Sequence, residues 1–303
     1  MLMRIYYVWP KFPSVSMSGA YCALRCRHCN RHYLSHMHAA PTPEELLRLS
    51  IELEKKGARG LLLSGGCDKE GRMLNLPKLL PAIKKIKKKT DLILKLHTGF
   101  VDSKLAEDIV EAEVDIASME MVGADESVKE IFGLDAGVKR YLESFVNLSE
   151  AGMKYISPHV AVGLHYGRLL GEFNALNLIK EHINPDTVVI IVFRPTKGTE
   201  LEHLTPPSAR DVGRVVAHAK KLFPEKKLLL GSMRPRSSGR NDSARDARLD
   251  IELAALDNGM NAIEIPSPYL LKLLKIRGYK LRKIDAYGVL PLDYEEKIGY
   301  ETI

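Results

Sequence analysis

The sequence lacks the features that mark membrane, secreted and disulfide-stabilised proteins. Its 303 residues contain no apolar run of the roughly 18 residues that a membrane span needs. Residues 1–10 include one arginine and no long apolar stretch, so we expect no signal peptide, no membrane association and a cytoplasmic location. Only four cysteines are present, and three of them lie within eight positions. That clustering is typical of metal binding or catalysis and not of a disulfide scaffold.

Positive charge is in moderate excess, with a formal net charge of +7. The densest basic run comprises Lys84, Lys85 and residues 87–89, at the end of a predicted helix, where it is solvated and complements the helix dipole. No aromatic residue is interleaved with these lysines to stack on a base. We therefore expect no nucleic-acid partner.

Short apolar runs alternate with helical patterns along the chain, which is typical of β/α units around a parallel sheet. The first helix has Thr42 as N-cap and Glu45 to complete a capping box. The predicted strands are residues 15–20, 60–64, 92–97, 115–119, 156–162, 187–193, 227–231 and 262–265. The predicted helices are residues 42–56, 76–88, 103–112, 138–151, 172–182, 208–222 and 242–257.

Eight β/α repeats in about 250 residues favour a closed (β/α)₈ barrel of the TIM type, with a doubly wound open sheet as the alternative. We expect one α/β domain. It comprises the barrel, residues 1–268, and a short C-terminal extension, residues 269–303, with one helix and an irregular closing segment. In both folds ligands bind at the C-terminal ends of the strands.

Polar and glycine residues follow the predicted strands, which indicates one shared site at one face of the fold. From the first to the seventh strand, these residues are Cys22; Ser64, Gly65, Gly66 and Cys67; His97; Glu120; Gly163 and His165; Gly198; and Arg234 and Arg236.

Cys22, Cys26 and Cys29 follow the pattern C-x₃-C-x₂-C on one short segment. Thiolates favour zinc, copper(I) and iron–sulfur clusters, and we expect an iron–sulfur cluster here. A zinc site completed by His32, or less favourably by His36 or His38, is the first alternative. Three unliganded thiols are the second.

This motif at the end of the first strand of a β/α series resembles the radical S-adenosylmethionine (SAM) superfamily. The family's segments at strands two, five and six are similar to residues 62–68, 163–172 and 193–201, respectively. His28 stands where the family often has an aromatic residue before the third cysteine. The resemblance covers most of the chain and implies a radical SAM barrel.

The resemblance implies a [4Fe-4S] cluster held by the three cysteines, with one iron left open for SAM. It implies cofactor contacts from Ser64, Gly65, Gly66, Glu120, Gly163, His165 and Gly198. For Glu120, a hydrogen bond to SAM and a structural pair with a barrel arginine both remain open. A ferredoxin or flavodoxin is implied as the electron donor.

Within the superfamily the chain is most similar to the biotin synthase branch, including archaeal relatives that act as paired lipoyl synthase subunits. The resemblance implies sulfur insertion into a small-molecule or acyl-protein substrate, with Cys67, Arg234 and Arg236 as catalytic candidates. The two arginines either bind a substrate carboxylate or phosphate, or balance charge. A second radical SAM subunit is an expected partner.

One cysteine outside the motif is too few for a conventional second iron–sulfur cluster. Either none exists, or Cys67 is joined by unusual ligands, sulfide or a partner chain. Two other functions remain open: a radical SAM mutase or C–C lyase without sulfur transfer, and a zinc-binding protein without enzymatic activity.

Overall fold

A computed structural model describes residues 1–235 and 242–303, with the side chains of residues 242–246 left aside. Twelve strands of the described chain form one sheet, numbered in chain order: β1 (Leu2–Tyr6), β2 (Ser14–Ser16), β3 (His38–Ala39), β4 (Gly60–Ser64), β5 (Ile93–His97), β6 (Ile116–Glu120), β7 (Tyr155–Val162), β8 (Thr187–Val192), β9 (Lys227–Leu230), β10 (Ala262–Glu264), β11 (Lys280–Ile284) and β12 (Glu301–Thr302).

Helices separate the strands along the chain. They are α1 (Pro43–Lys55), α2 (Leu76–Lys89), α3 (Ser103–Glu111), α4 (Asp125–Ser127), α5 (Gly137–Glu150), α6 (Glu172–His182), α7 (Ala209–Leu222), α8 (Asp242–Asp257), α9 (Pro268–Ile276) and α10 (Leu292–Ile298). A 3₁₀ helix spans His32–His36 and a single π-helical turn spans Val128–Phe132. Among the described residues no helix is long and apolar enough to cross a membrane.

The sheet confirms the predicted α/β fold. All eight predicted strands and all seven predicted helices are present, with ends that differ by at most a few residues. Thr42 caps α1 through its side chain, and Glu45 returns the second bond of the capping box. From β2 through β10 the neighbouring strands pair in parallel and curl as in a radical SAM barrel.

The hydrogen-bonded ladder does not close into a ring within the described part of the chain. The sheet runs β12-β11-β1-β10-β9-β8-β7-β6-β5-β4-β2-β3, so β2 does not pair with β10. β1 (Leu2–Tyr6), a parallel strand not among the eight predicted, takes that place beside β10. Side chains bridge the gap instead: the Tyr287 hydroxyl lies 2.8 Å from the Ser14 hydroxyl, and its ring packs edge-on against Phe12.

The C-terminal segment is more regular than the single helix and irregular closing segment expected from the sequence. It contains α9, α10, β11 and the short β12, and β11 pairs in parallel with β1. Charged residues obscured this strand, because only Leu281 and Ile284 of Lys280–Ile284 are buried. The proposed boundary at residue 268 stays a prediction.

A buried ionic cluster anchors α10 beneath the strands. The Lys227 ammonium lies 2.9 Å from Glu295 Oε1, and Arg4 Nε lies 3.2 Å from Glu295 Oε2. The Tyr6 hydroxyl donates to the same carboxylate. Burial lowers the pKa of Lys227 to about 8, and the neighbouring Glu295 acts in the opposite direction. Glu295 is completely buried, so its charge depends on these partners.

We predict that Glu295→Gln lowers the free energy of unfolding by about 3 kcal/mol, because it leaves Lys227 and Arg4 without their buried counter-charge. The measurement is the midpoint of urea-induced unfolding, compared between proteins whose unfolding free energy depends equally steeply on urea concentration. Glu296→Gln is the matched control, since Glu296 is exposed in the same helix. Equal midpoints for the two variants would show that the buried cluster contributes nothing to stability.

Candidate active site

The three cysteines of the motif lie on one tight loop, residues 20–31, called the cluster loop below. Its turns are closed by the Cys29 and Asn30 amides donating to the Cys26 carbonyl, at 3.0 and 2.9 Å. All three thiols are half-buried. Burial raises the pKa of Cys26 and of Cys29, and the neighbouring thiols raise that of Cys26 further. The loop therefore gathers three half-buried thiols at one end of the sheet.

Cys67 joins this group from the end of β4. Its amide donates to Cys22 Sγ at 3.2 Å, and its carbonyl accepts from the Ala23 amide at 2.7 Å. Burial raises the pKa of Cys67 to about 12, with Cys22 as the next cause. The fourth cysteine therefore lies directly beside the first ligand of the motif, with its backbone clamped to the cluster loop.

Gly66 packs under the cluster loop. A Cβ atom there would lie 2.1 Å from the Tyr21 carbonyl oxygen and 2.5 Å from Cys22 Cβ. Its amide donates to Ser18 Oγ and its carbonyl accepts from the Leu74 amide. The glycine is needed for close contact with the loop itself, and the expected approach of its backbone to SAM stays a prediction.

Gly65 differs from its neighbour, because its amide and carbonyl have no hydrogen-bond partner among the described residues. A Cβ atom at Gly65 would sit 3.3 Å from Ser18 N and Oγ, which is tight but not prohibitive. Of the two glycines, Gly65 is therefore the one with backbone groups free for a ligand.

Glu120 ends β6 and faces His97 at the end of β5, with 3.7 Å between Oε1 and Nε2. His97 in turn packs edge-on against His159, with ring centroids 5.5 Å apart. Burial lowers the pKa of His97, and Glu120 acts in the opposite direction. The partner of Glu120 is thus a histidine and not the barrel arginine considered from the sequence.

A cavity of about 270 Å³ opens beside the cluster loop at the C-terminal ends of the strands. Apolar side chains make up most of its wall. The lining residues are His28, Cys29, Tyr33, Leu34, Met37, Ser64, His97, Glu120, Phe132, Ala161, Leu164, Ile191, Val192, Phe193, Arg194 and Met233.

Comparison with known proteins identifies the sequence around this site. Residues 17–167, which include all four cysteines and Glu120, match the Radical SAM superfamily. The chain belongs to the radical SAM superfamily. The cysteine motif follows β2, the first of the predicted strands, and Gly65 and Gly66 follow β4. Both positions agree with this assignment.

Individual relatives of this radical SAM protein are distant. Biotin synthase from Clostridium acetobutylicum is 22% identical over 70% of this chain and 65% of its own. The [FeFe]-hydrogenase maturase HydG has a TM-score of 0.62 at 17% identity, covering 92% of this chain and 64% of HydG. Methylornithine synthase, PylB, has a TM-score of 0.62 at 13% identity, covering 97% and 86%. The chain spans less than two thirds of the first two proteins, and the structural likenesses concern the fold alone.

The donor set fits the iron–sulfur cluster of the radical SAM family better than a single metal ion. Within the described residues, no three histidine, cysteine or acidic side chains converge on a point that one ion could occupy. A cube of four irons holds its thiolates at separate corners, so it needs no such point. His32, the zinc candidate, packs edge-on against Tyr33 and His36 instead. His28 precedes Cys29, and its buried Nδ1 atom has no hydrogen-bond partner among the described residues. A further group bound in this site would supply that partner.

The remaining predicted cofactor residues lie around this site without lining the cavity. The Gly163 amide donates to Glu172 Oε1, and a Cβ atom there would meet the Pro207 ring at 2.6 Å. His165 Nδ1 lies 3.2 Å from Ser127 Oγ. Gly198 accepts a hydrogen bond from Asn30 of the cluster loop. The structure gives each a local packing or docking partner, and their contacts with SAM stay predictions.

Arg234 is turned away from the cavity. Its side chain is 1% exposed and lies 2.8 Å from Glu252 Oε1 of α8. It also donates to the carbonyls of Gly231 and Ile265. Of the two roles considered from the sequence, this arrangement is the charge-balancing one. Arg236 lies outside the described residues.

Phe132 and Arg194 are cavity residues that the sequence did not identify as part of the site. Phe132 comes from the π-helical turn, which docks on the cluster loop through the Arg27 amide and the Ile131 carbonyl. Arg194 lies in residues 193–201, the segment similar to the family's strand six, in which Gly198 was the predicted cofactor contact. Its position immediately after a strand was the available signal.

We predict that Gly66→Ala loses most of its iron after anaerobic reconstitution, because the new methyl group must displace Cys22 and the rest of the cluster loop. Iron and sulfide content per chain is the measurement. Gly65→Ala is the matched control and keeps its iron, since its Cβ meets only Ser18 at 3.3 Å. Equal iron in both variants would contradict the account of Gly66.

Proposed function

We propose that the protein is a radical SAM enzyme that inserts sulfur, of the biotin and lipoyl synthase type. The observation that carries the enzymatic part is the set of Cys22, Cys26 and Cys29 on one short loop beside a largely apolar cavity. A bound [4Fe-4S] cluster and SAM would supply reductive cleavage of SAM and a 5′-deoxyadenosyl radical, which removes hydrogen from an unactivated carbon.

The chain's own residues bind and orient these groups. The three thiolates would hold three irons and leave the fourth without a protein ligand. Gly65 offers an amide and a carbonyl, and Ser64 lines the cavity next to it. Glu120, whose position His97 restrains, offers a carboxylate from the neighbouring part of the wall. The apolar residues of the wall exclude water from the reacting carbon.

Cys67 supports the sulfur-transfer part of the proposal. Its clamp to Cys22 keeps a fourth sulfur beside the cluster loop, where it serves as a ligand or carrier of the transferred sulfur. The distant likeness to biotin synthase is in accord with this role. A paired radical SAM subunit, supplying further ligands, would complete a lipoyl synthase.

A radical SAM mutase or C–C lyase is the second candidate. The sequence holds a single cysteine outside the motif, which is too few for a conventional auxiliary cluster. Enzymes of this second type need only the SAM cluster, and Cys67 would then be a small buried residue of the wall.

The test is anaerobic reconstitution followed by SAM cleavage with a ferredoxin, a flavodoxin or dithionite as electron donor. We expect about four irons per chain and the products 5′-deoxyadenosine and methionine. Replacing Cys22, Cys26 and Cys29 together by alanine abolishes both. His32→Ala is the control and keeps both, whereas loss of stoichiometric zinc from that variant would establish the zinc alternative.

Cys67→Ala separates the two enzymatic candidates. Incubation with octanoylated carrier protein or small carboxylic acids is followed by mass spectrometry of the products. Sulfur insertion predicts that the variant still cleaves SAM but yields no sulfur-containing product. A variant that turns over its substrate at the wild-type rate would favour the mutase or lyase.

A further inference from the structure

Arg194 is a cation on the cavity wall that has no counter-charge among the described residues. It lies two residues after the end of β8, is half-buried, and lines the cavity beside Phe193. In the described part of the chain no carboxylate lies within ion-pair distance of its guanidinium, and no side-chain hydrogen bond engages it. Its neighbour is the Tyr33 ring, with 5.9 Å between the guanidinium carbon and the ring centroid.

The position of this guanidinium is built by contacts between two segments. The Tyr33 hydroxyl lies 2.9 Å from Thr196 Oγ1, which donates to the Arg194 carbonyl at 3.1 Å. Asn30 Nδ2 donates to the Gly198 carbonyl at 3.2 Å. Asn30 of the cluster loop and Tyr33 of the 3₁₀ helix that follows it therefore tie this part of the chain to residues 196–198, immediately after Arg194.

The surrounding wall is apolar. Leu34 and Met37 contribute from the segment after the cluster loop, and Ile191, Phe193 and Met233 from the ends of β8 and β9. Glu120 is the single acidic residue among the described lining residues, and it faces His97. The cavity thus offers one unpaired cation above a surface suited to a hydrocarbon chain.

Arg194 lies on a different part of the wall from the proposed SAM contacts. Ser64 and Gly65 follow β4, and β8 is four strands further along the sheet. A half-buried guanidinium gains most from a ligand that matches its planar fork, which a carboxylate does with two parallel hydrogen bonds. The carboxylate of SAM is not required for this, since the open iron is its expected partner.

We propose that Arg194 binds the carboxylate of the substrate, whose apolar chain lies along the wall formed by Ile191, Phe193 and Met233. This assignment rests on the proposed function and narrows its substrate class to amphipathic carboxylic acids. It gives Arg194 the anion-binding role for which Arg234 is unsuited, because Arg234 is held by Glu252.

The test is calorimetric binding of octanoate and of its neutral analogue octanamide to the anaerobically reconstituted protein. We expect octanoate to bind about 10- to 100-fold more tightly than octanamide, because hydrogen bonds to a charged group are stronger than those to a neutral one. Arg194→Ala removes this preference and Arg194→Lys keeps part of it. Lys197→Ala is the matched control, an exposed cation in the same segment, and leaves the preference unchanged.

The chain-length dependence tests the apolar wall. Each methylene from butyrate to octanoate should improve the affinity by about fourfold if it is buried. An affinity independent of chain length would show that the hydrocarbon chain is not buried along this wall, and would overturn the assignment. So would an Arg194→Ala variant that retains its preference for octanoate.

A third result identifies the competing role. If Arg194→Ala weakens SAM binding and leaves octanoate binding unchanged, Arg194 is a SAM ligand and the assignment is wrong. These titrations measure binding and need no SAM cleavage. Failure of the carboxylate assignment can therefore be distinguished from failure of the proposed function. A protein that binds octanoate through Arg194 but produces no 5′-deoxyadenosine would refute the enzymatic activity alone.

Discussion

The close approach of Gly66 to Tyr21 and Cys22 is the contact on which the site depends. A side chain at this position would occupy the space of the loop backbone, so the loop can reach the end of β4 only over a glycine. That approach brings the Cys67 amide to Cys22 Sγ. The thiols are thereby held at the C-terminal end of the sheet, beside the cavity that strand ends and loops line together.

Two further contacts fix the far side of the cluster loop. The π-helical turn meets it at Arg27 and brings Phe132 into the cavity wall. The segment after β8 meets it through Asn30 and Gly198. Residues from three distant parts of the chain thus converge on one loop, which has little regular structure of its own. The resulting cavity is polar towards β4, β5 and β6 and mostly apolar towards β8 and β9, with Arg194 as the exception.

Local signals made most of this arrangement predictable. The capping box at Thr42 and Glu45 marked the start of α1 correctly, because both partners lie within one helical turn. The strands β4 to β10 were recognisable as short apolar runs between helices. The cysteine spacing identified the motif, and the end of each strand identified the face on which it lies.

The failures concern interactions between residues far apart in the sequence. Arg234 looked like a ligand-binding residue until Glu252, eighteen positions later, was found to neutralise it. β1 and β11 were missed because they become strands only by pairing with distant segments: β1 pairs with β10 and β11, and β11 pairs with β1. Gly66 was recognised as special, but its contact with the distant Tyr21 and Cys22 was not foreseen; its contact with SAM stays a prediction.

The central claim is that Cys22, Cys26 and Cys29 hold a cluster with one iron open to SAM. The most direct measurement is electron–nuclear double resonance of the reduced, reconstituted protein with SAM labelled by ¹³C at its carboxyl carbon. We predict a resolved hyperfine coupling between that carbon and the cluster spin, present in the Cys67→Ala variant and absent without the three motif cysteines. A protein that holds four irons and binds labelled SAM without any such coupling would contradict the account.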